Sequence, residues 1–233
     1  MARTATARTR NEQLYLQIRA RLLRGEFGPG EPIRTDDLCN RYGVSVSVVR
    51  EVLTRLAAQG LIRTEANKGF RVPAISSGEI VDLCRARAEI EAMTLRLAVE
   101  HGDVAWEASV IAAHHELART PRVSISEDPE ANERWSIVHA RFHEACAAGC
   151  GSRRLCLVRQ QLFDEAEVFR QYARLHGAGR DVEAEHAAIA DALVARDGAL
   201  AVRLVREHVE ATARANLAAL AERGTDERSG HAA

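Results

Sequence analysis

Four histidines stand at spacings that could build one site: His139 and His143, one helical turn apart, then His186 and His208. Residues at i and i+4 share a helix face. Imidazoles carried on facing helices of a bundle can converge on a divalent metal. The His139–His143 spacing alone fits a structural pair of core histidines better than a metal site. A second set could grip nucleic acid: Ser45, Ser47 and Arg50, with Arg34 ahead of them and Lys68-Gly69 behind. Serine hydroxyls donate to phosphates or base edges, and a guanidinium takes guanine bidentately or clamps a phosphate. Taken singly, each of these is also an ordinary solvated side chain.

The second set needs a helix that pushes its N-terminus outward. Val49, Val52, Leu53 and Leu56 recur at helical spacing behind the Gly43 turn and form a buried stripe, leaving a short, polar first turn. A helix of this kind suits the DNA major groove. Before it the spacing predicts a helix over about 11–25, with Leu14, Ile18 and Leu22 inward, and a short one that Thr35 caps and that runs to Tyr42. After Gly60 the period changes to two: Ile62 and Thr64, then Phe70 and Val72, flank Glu65-Ala66-Asn67-Lys68-Gly69 as a hairpin. Together these make a winged helix-turn-helix over 11–73, with a disordered basic arm at 1–10 and a linker at 74–77.

The first set needs a helical bundle. From Ser77, a cap, the chain shows only helical periodicity, in helices of about 77–101, 103–117, 130–148, 152–176, 181–196 and 199–223. Ile80, Leu83, Ile90 and Leu97 are the expected inner face of the first, and Asp103 caps the second. The expected fold is mostly α, a winged helix-turn-helix followed by an all-α six-helix bundle over 78–223, with a disordered tail at 224–233. The first and sixth bundle helices are the expected dimer surfaces. His101, His114, His115 and His176 fall near helix ends or on outer faces, and His231 in the tail.

Composition agrees with two modules. Aromatic residues make up 4% of the 233, which favours helix over sheet. Residues 1–75 carry 13 Lys+Arg against 7 Asp+Glu, and the remainder 19 against 26. A basic module joined to an acidic one suggests a nucleic-acid reader with a separate partner domain. No apolar run approaches the ~18 residues of a membrane span, so a cytoplasmic protein without membrane contact is expected. Five cysteines without a CxxC pattern argue against a disulfide framework; Cys146 and Cys150, one turn apart, are buried free thiols or a redox pair.

Leu22-Leu23-Arg24-Gly25, Pro29-Gly30, Leu38, Gly43-Val44-Ser45, Val49-Arg50-Glu51-Val52-Leu53, Leu56, Gly60-Leu61 and Gly69 resemble the GntR family of bacterial transcription regulators over about 11–75. The resemblance implies a homodimer on a short palindromic operator, one winged helix per half-site. Val46 and Val48 depart from it, standing where members commonly carry Arg and Pro. Trp135, His139-Ala140-Arg141-Phe142-His143, Glu185-His186 through Leu193, Asp197-Gly198 and Arg206-Glu207-His208 resemble the FCD ligand-binding domain of the FadR-like branch, in its shorter, VanR-like subset. That resemblance implies an Asp and three His around a divalent metal beneath a pocket for a small carboxylate. His143, His186 and His208 match the three histidines, and His139 stands at the Asp position. An all-nitrogen site should prefer zinc, nickel or copper to manganese or magnesium, and it leaves the metal about one charge more positive, favouring an anionic ligand. Arg87 matches a family Arg that can hold a carboxylate through its fork; a helix-surface ion pair with Glu91 is the other reading of it.

The implied function is a ligand-responsive DNA-binding regulator, in the repressor sense, with a small organic acid as effector. A metal sensor and a metalloenzyme built on the histidines are the alternatives. The enzyme would need an acid–base carboxylate, which no spacing places beside the histidines. A pyridoxal-phosphate enzyme is excluded, because the only lysine, Lys68, falls in the wing.

Overall fold

The computed structural model describes residues 10–66, 68–123, 128–173 and 180–230, with the backbone alone at 129, 171–173 and 223–230. Contacts divide the chain into two compact units, 1–75 and 76–233. The first begins with α1 (Arg10–Leu23), β1 (Pro32–Ile33), α2 (Thr35–Tyr42) and α3 (Val46–Ala58). It closes with β2 (Arg63–Glu65) and β3 (Gly69–Arg71). Val49, Val52, Leu53 and Leu56 of α3 are fully buried against Leu14, Ile18 and Leu22 of α1 and Leu38 of α2. Burial of such a side chain contributes about 1.5–3 kcal/mol, so the stripe anchors α3 and leaves its other face outward. Gly43 ends α2 in the left-handed region (φ 59°, ψ 43°), its amide donating to the Cys39 carbonyl. A side chain there would cost roughly 1–2 kcal/mol.

The wing has a strand that the alternation did not show. β1 pairs antiparallel with β3 (Ile33 opposite Phe70), so the sheet order is β1-β3-β2. Two residues are too few for a period. Two other expectations need correction. Arg10 already belongs to α1 rather than to the arm, and Arg34, not Thr35, is the N-cap of α2. Asn67, expected in the wing turn, and the arm at 1–9 lie outside the described residues.

The second unit is a bundle of α4 (Ser77–His101), α5 (Val104–Ala118), α6 (Pro129–Ala148), α7 (Arg153–Ala173), α8 (Val182–Val194) and α9 (Gly198–Gly230). Ser76, not Ser77, caps α4, accepting from the Glu79 amide, while Asp103, Asp128 and Asp181 cap α5, α6 and α8. Trp106, Val110, Trp135, Phe142, Ile189, Leu193 and Val205 centre the core. Trp106 packs so closely on the ends of α4 and α6 that a Cβ at Gly102 would overlap its ring.

The face that α4 buries is not the expected one. Ile80 is buried, but Leu83, Ile90 and Leu97 are half-buried, and the core side carries Arg87, Ala88, Glu91, Ala92, Thr94, Leu95 and Ala98. An apolar search misses this face because its middle is an ion pair. α9 runs past the expected end near 223 to Gly230; propagation adds one hydrogen bond per residue, and a single glycine need not stop it. Exposed large apolar side chains fall on α4 (Val81, Met93), α5, α6, α7 and α8, and among the described residues none on α9. The close thiol pair is Cys150 with Cys156 (Sγ–Sγ 3.5 Å), not Cys146 with Cys150. Among the described residues no helix is long and apolar enough to cross a membrane.

Candidate functional site

The bundle brings the four histidines together. α6 carries His139 and His143, α8 His186 and α9 His208; all four are buried, and one ring nitrogen from each lies within 4.8 Å of the others. The Nε2 atoms of His139 and His143 are 3.1 Å apart, a separation at which one ring donates to the other or both lone pairs meet a shared cation. Trp135 stacks on His139 (centroids 4.5 Å, 16°), and Phe142 and Phe163 close the sides.

Burial drives His139, His143 and His186 well below the ordinary imidazole range, and neighbouring imidazoles and arginines, Arg170 at His139 above all, add to it. Burial also lowers His208, against the pull of Glu185. Neutral imidazole is the form that ligates metal. His186 Nε2 and His139 Nδ1 are buried and have no hydrogen-bond partner among the described residues. An orphaned buried polar atom costs about 1–3 kcal/mol, and an ion would offset that at His186. Four convergent, neutral, all-nitrogen donors fit a divalent metal of the zinc–nickel–copper type.

Carboxylates do stand beside the histidines, contrary to the expectation from spacing. Glu185 accepts from His208 Nδ1 at 2.8 Å and is gripped by Arg180. Burial would raise Glu185, but these two hydrogen bonds bring it down to about 2. Arg180 also donates to the His208 carbonyl (2.9 Å) and to Thr212 (2.9 Å), fixing the α9 backbone. Glu167 lies 3.8 Å from His139 Nδ1 and is paired with Arg170. Each carboxylate is held by an arginine, and Glu185 orients the His208 ring as the supporting partner of a metal ligand does, whereas Glu167 stands beyond hydrogen-bond reach of His139.

Arg87 pairs with Glu91 (3.4 Å), but the pair is not on the helix surface: both are buried, and Arg159 of α7 reaches the same Oε1 at 3.3 Å. Two guanidiniums thus share one carboxylate, and Arg87 Nη2 has no partner among the described residues. Burial lowers Arg87 despite Glu91. Its guanidinium lies 4.9 Å from the Phe163 ring, which packs on His143. A cavity of about 20 Å³, room for one water, lies beside it between α4, α7 and α9, lined also by Cys84, Phe169, Thr212 and Asn216. Arg159 gave no signal in the sequence, since an arginine on a polar helix stretch looks solvated. Glu185, adjacent to His186, could have been found. His114 is half-buried against Phe142 rather than solvated, and His176 lies outside the described residues.

At the other unit, Ser45 is the N-cap of α3 and Ser47 is in its first turn, their hydroxyls 2.9 Å apart. Arg50 is exposed on the next turn. The start of α3 has neither a side-chain cap nor an acidic residue, which leaves its positive dipole end open to phosphate. Arg34 is exposed at the start of α2. Lys68 is exposed in the wing, and Gly69 (φ 85°) opens β3 with nothing within 4 Å of a would-be Cβ. Arg55 ties α3 to α1 through Glu12 (2.6 Å) and the Tyr15 ring.

Comparison with known proteins gives two family matches: bacterial regulatory proteins of the gntR family over residues 10–72, and the FCD domain over 82–211. The HTH-type transcriptional repressor GlaR of Escherichia coli is 36% identical over 84% of this chain and 90% of its own length. The HTH-type transcriptional regulator BphR of Paraburkholderia xenovorans is 31% identical over 89% and 85%. In fold, the chain is similar to McbR/YncC of E. coli (TM-score 0.72, 22% identity, 93% of this chain and 99% of that one). It is also similar to a GntR regulator of Rhodococcus sp. RHA1 (TM-score 0.71, 23% identity, 90% and 98%).

Proposed function

The chain belongs to the gntR family of bacterial regulatory proteins and carries an FCD domain behind its winged helix, and from this premise we propose a repressor whose hold on operator DNA is set by a small carboxylate bound beside a divalent metal. DNA-binding transcription regulation is the family's activity, and repression is the mode named for GlaR. The observation that carries the rest is the cluster of four buried, neutral imidazoles within 4.8 Å, with two arginines sharing one carboxylate nearby. His139, His143, His186 and His208 would hold zinc or nickel, which supplies a Lewis-acidic anchor for an anion. Arg87 and Arg159 would receive the acid's charge, since their shared Glu91 neutralises only one of them.

The cavity at Arg87 has room for about one water. An effector that binds there by widening the space between α4, α7 and α9 would have unequal affinity for two states of the bundle. Such a difference is what a population shift requires. In a homodimer on a palindromic operator, the shifted state would misplace the two winged helices for adjacent half-sites.

The test is a thermal-shift screen of purified chain against divalent metals and small organic acids, repeated as operator release. Stabilisation by zinc or nickel, further stabilisation by an acid, and release by that same acid support the reading. Release by metal alone would identify a metal sensor instead. Metal-free wild type that no divalent ion stabilises would remove the metal site.

A further inference from the structure

Val46, the first residue of α3, is 49% exposed, although the four valines and leucines that follow in the stripe are fully buried. It stands four residues before Arg50 and therefore on the same outward face, one turn nearer the N-terminus. Ser45 and Ser47 flank it, their hydroxyls directed at each other. A β-branched aliphatic that its own unit leaves outside occupies the end of the helix that enters the groove first. Phosphates and most base edges are poor neighbours for such a group, because a polar edge covered by valine loses its water without gaining a partner. Of the four bases, only thymine presents an apolar group in the major groove, its C5-methyl.

We propose that Val46 reads thymine: its γ-methyls pack on the C5-methyl of one thymine in each half-site, beside the base or phosphate that Arg50 takes. Cytosine at that position would offer an amino group that valine cannot satisfy, so the contact discriminates as well as attracts. The inference rests on α3 being the recognition helix and adds to it the identity of one operator base.

A binding duplex is first selected by the full-length chain from a random-sequence pool. Each thymine of the half-site is then replaced by deoxyuridine, symmetrically, and affinity is read by anisotropy at fixed salt. Burial of one methyl corresponds to about fourfold in affinity per half-site, or about fifteenfold for both. Wild type should show that loss at one thymine, and Val46→Ala, which disturbs no buried contact, should not show it there. If Arg50→Ala weakens binding but no thymine has a methyl effect that depends on Val46, the thymine contact is refuted and the recognition helix stands. If Arg50→Ala leaves affinity unchanged, α3 does not read DNA and the inference falls with its premise.

Discussion

Glu91→Gln removes one charge and almost no volume from the centre of the bundle. In the native site the Glu91 Oε1 is 3.4 Å from Arg87 and 3.3 Å from Arg159, and all three residues are buried. At an effective dielectric constant of about 20, a unit pair at this distance attracts by roughly 5 kcal/mol, so two pairs give roughly 10 gross. Much of that is offset, because the variant no longer has to desolvate a carboxylate. What remains is two buried guanidiniums that have lost the carboxylate they share, and breaking a buried pair in this way costs about 3–5 kcal/mol. In a unit of this size, 1 kcal/mol corresponds to roughly 2–4 °C, so the bundle transition should fall by about 6–20 °C in calorimetry at pH 7.5. An added carboxylate should restore part of the loss: acetate should raise the Tm of Glu91→Gln more than that of wild type, against chloride at equal ionic strength. A loss below about 1 kcal/mol, or no preferential rescue by acetate, would refute the charge accounting on which the effector reading depends.

Three further outcomes follow from the same geometry. Arg50→Ala should lower operator affinity by about 1–3 kcal/mol, whereas Lys68→Ala should weaken binding evenly across sequences and reduce the salt slope by about one; mobility shifts across a salt series separate the two. In metal-free protein, burial holds the four imidazoles below their ordinary value, while in the unfolded chain they titrate near 6.5. The unfolded chain therefore binds more protons below about pH 6.5, so stability is full above that pH and falls beneath it, by up to about 1.4 kcal/mol per pH unit for each histidine. Glu185, held at about 2, loses its contribution only as the pH falls from the ordinary carboxylate range toward that value, and leaves the window from about 7 to 5 to the histidines. Urea midpoints that stay flat across that window would contradict this. His186→Asn, by removing one buried imidazole, should reduce the slope.

The two units differ in how much of them the residues announce. The stripe Val49, Val52, Leu53 and Leu56 could be read directly, because one face of α3 is wholly apolar and wholly buried. The four histidines could be grouped as candidates from residue type and the His139–His143 turn, and the resemblance strengthened the grouping, since nothing in local spacing brings α6, α8 and α9 to one point. Arg159, and the burial of the Arg87–Glu91 pair, were hidden for the opposite reason: charged side chains lie on the inner face of α4 and α7, where pattern reading expects apolar ones. A buried ion network looks like a solvated face until its elements are packed, and it displaced Leu83, Ile90 and Leu97 from the core. β1 was missed because its partner, β3, lies almost forty residues away and its own length is two.

A small acid should couple the histidine site to DNA binding. Anisotropy of a labelled operator, bound by zinc-loaded full-length chain and titrated with a panel of small mono- and dicarboxylates, measures that coupling. At least one acid should release DNA from wild type, and the same acid should fail on His143→Ala, which still binds operator. An operator affinity that no acid alters in the metal-loaded wild type, or release that is equal in His143→Ala, would disprove the coupling.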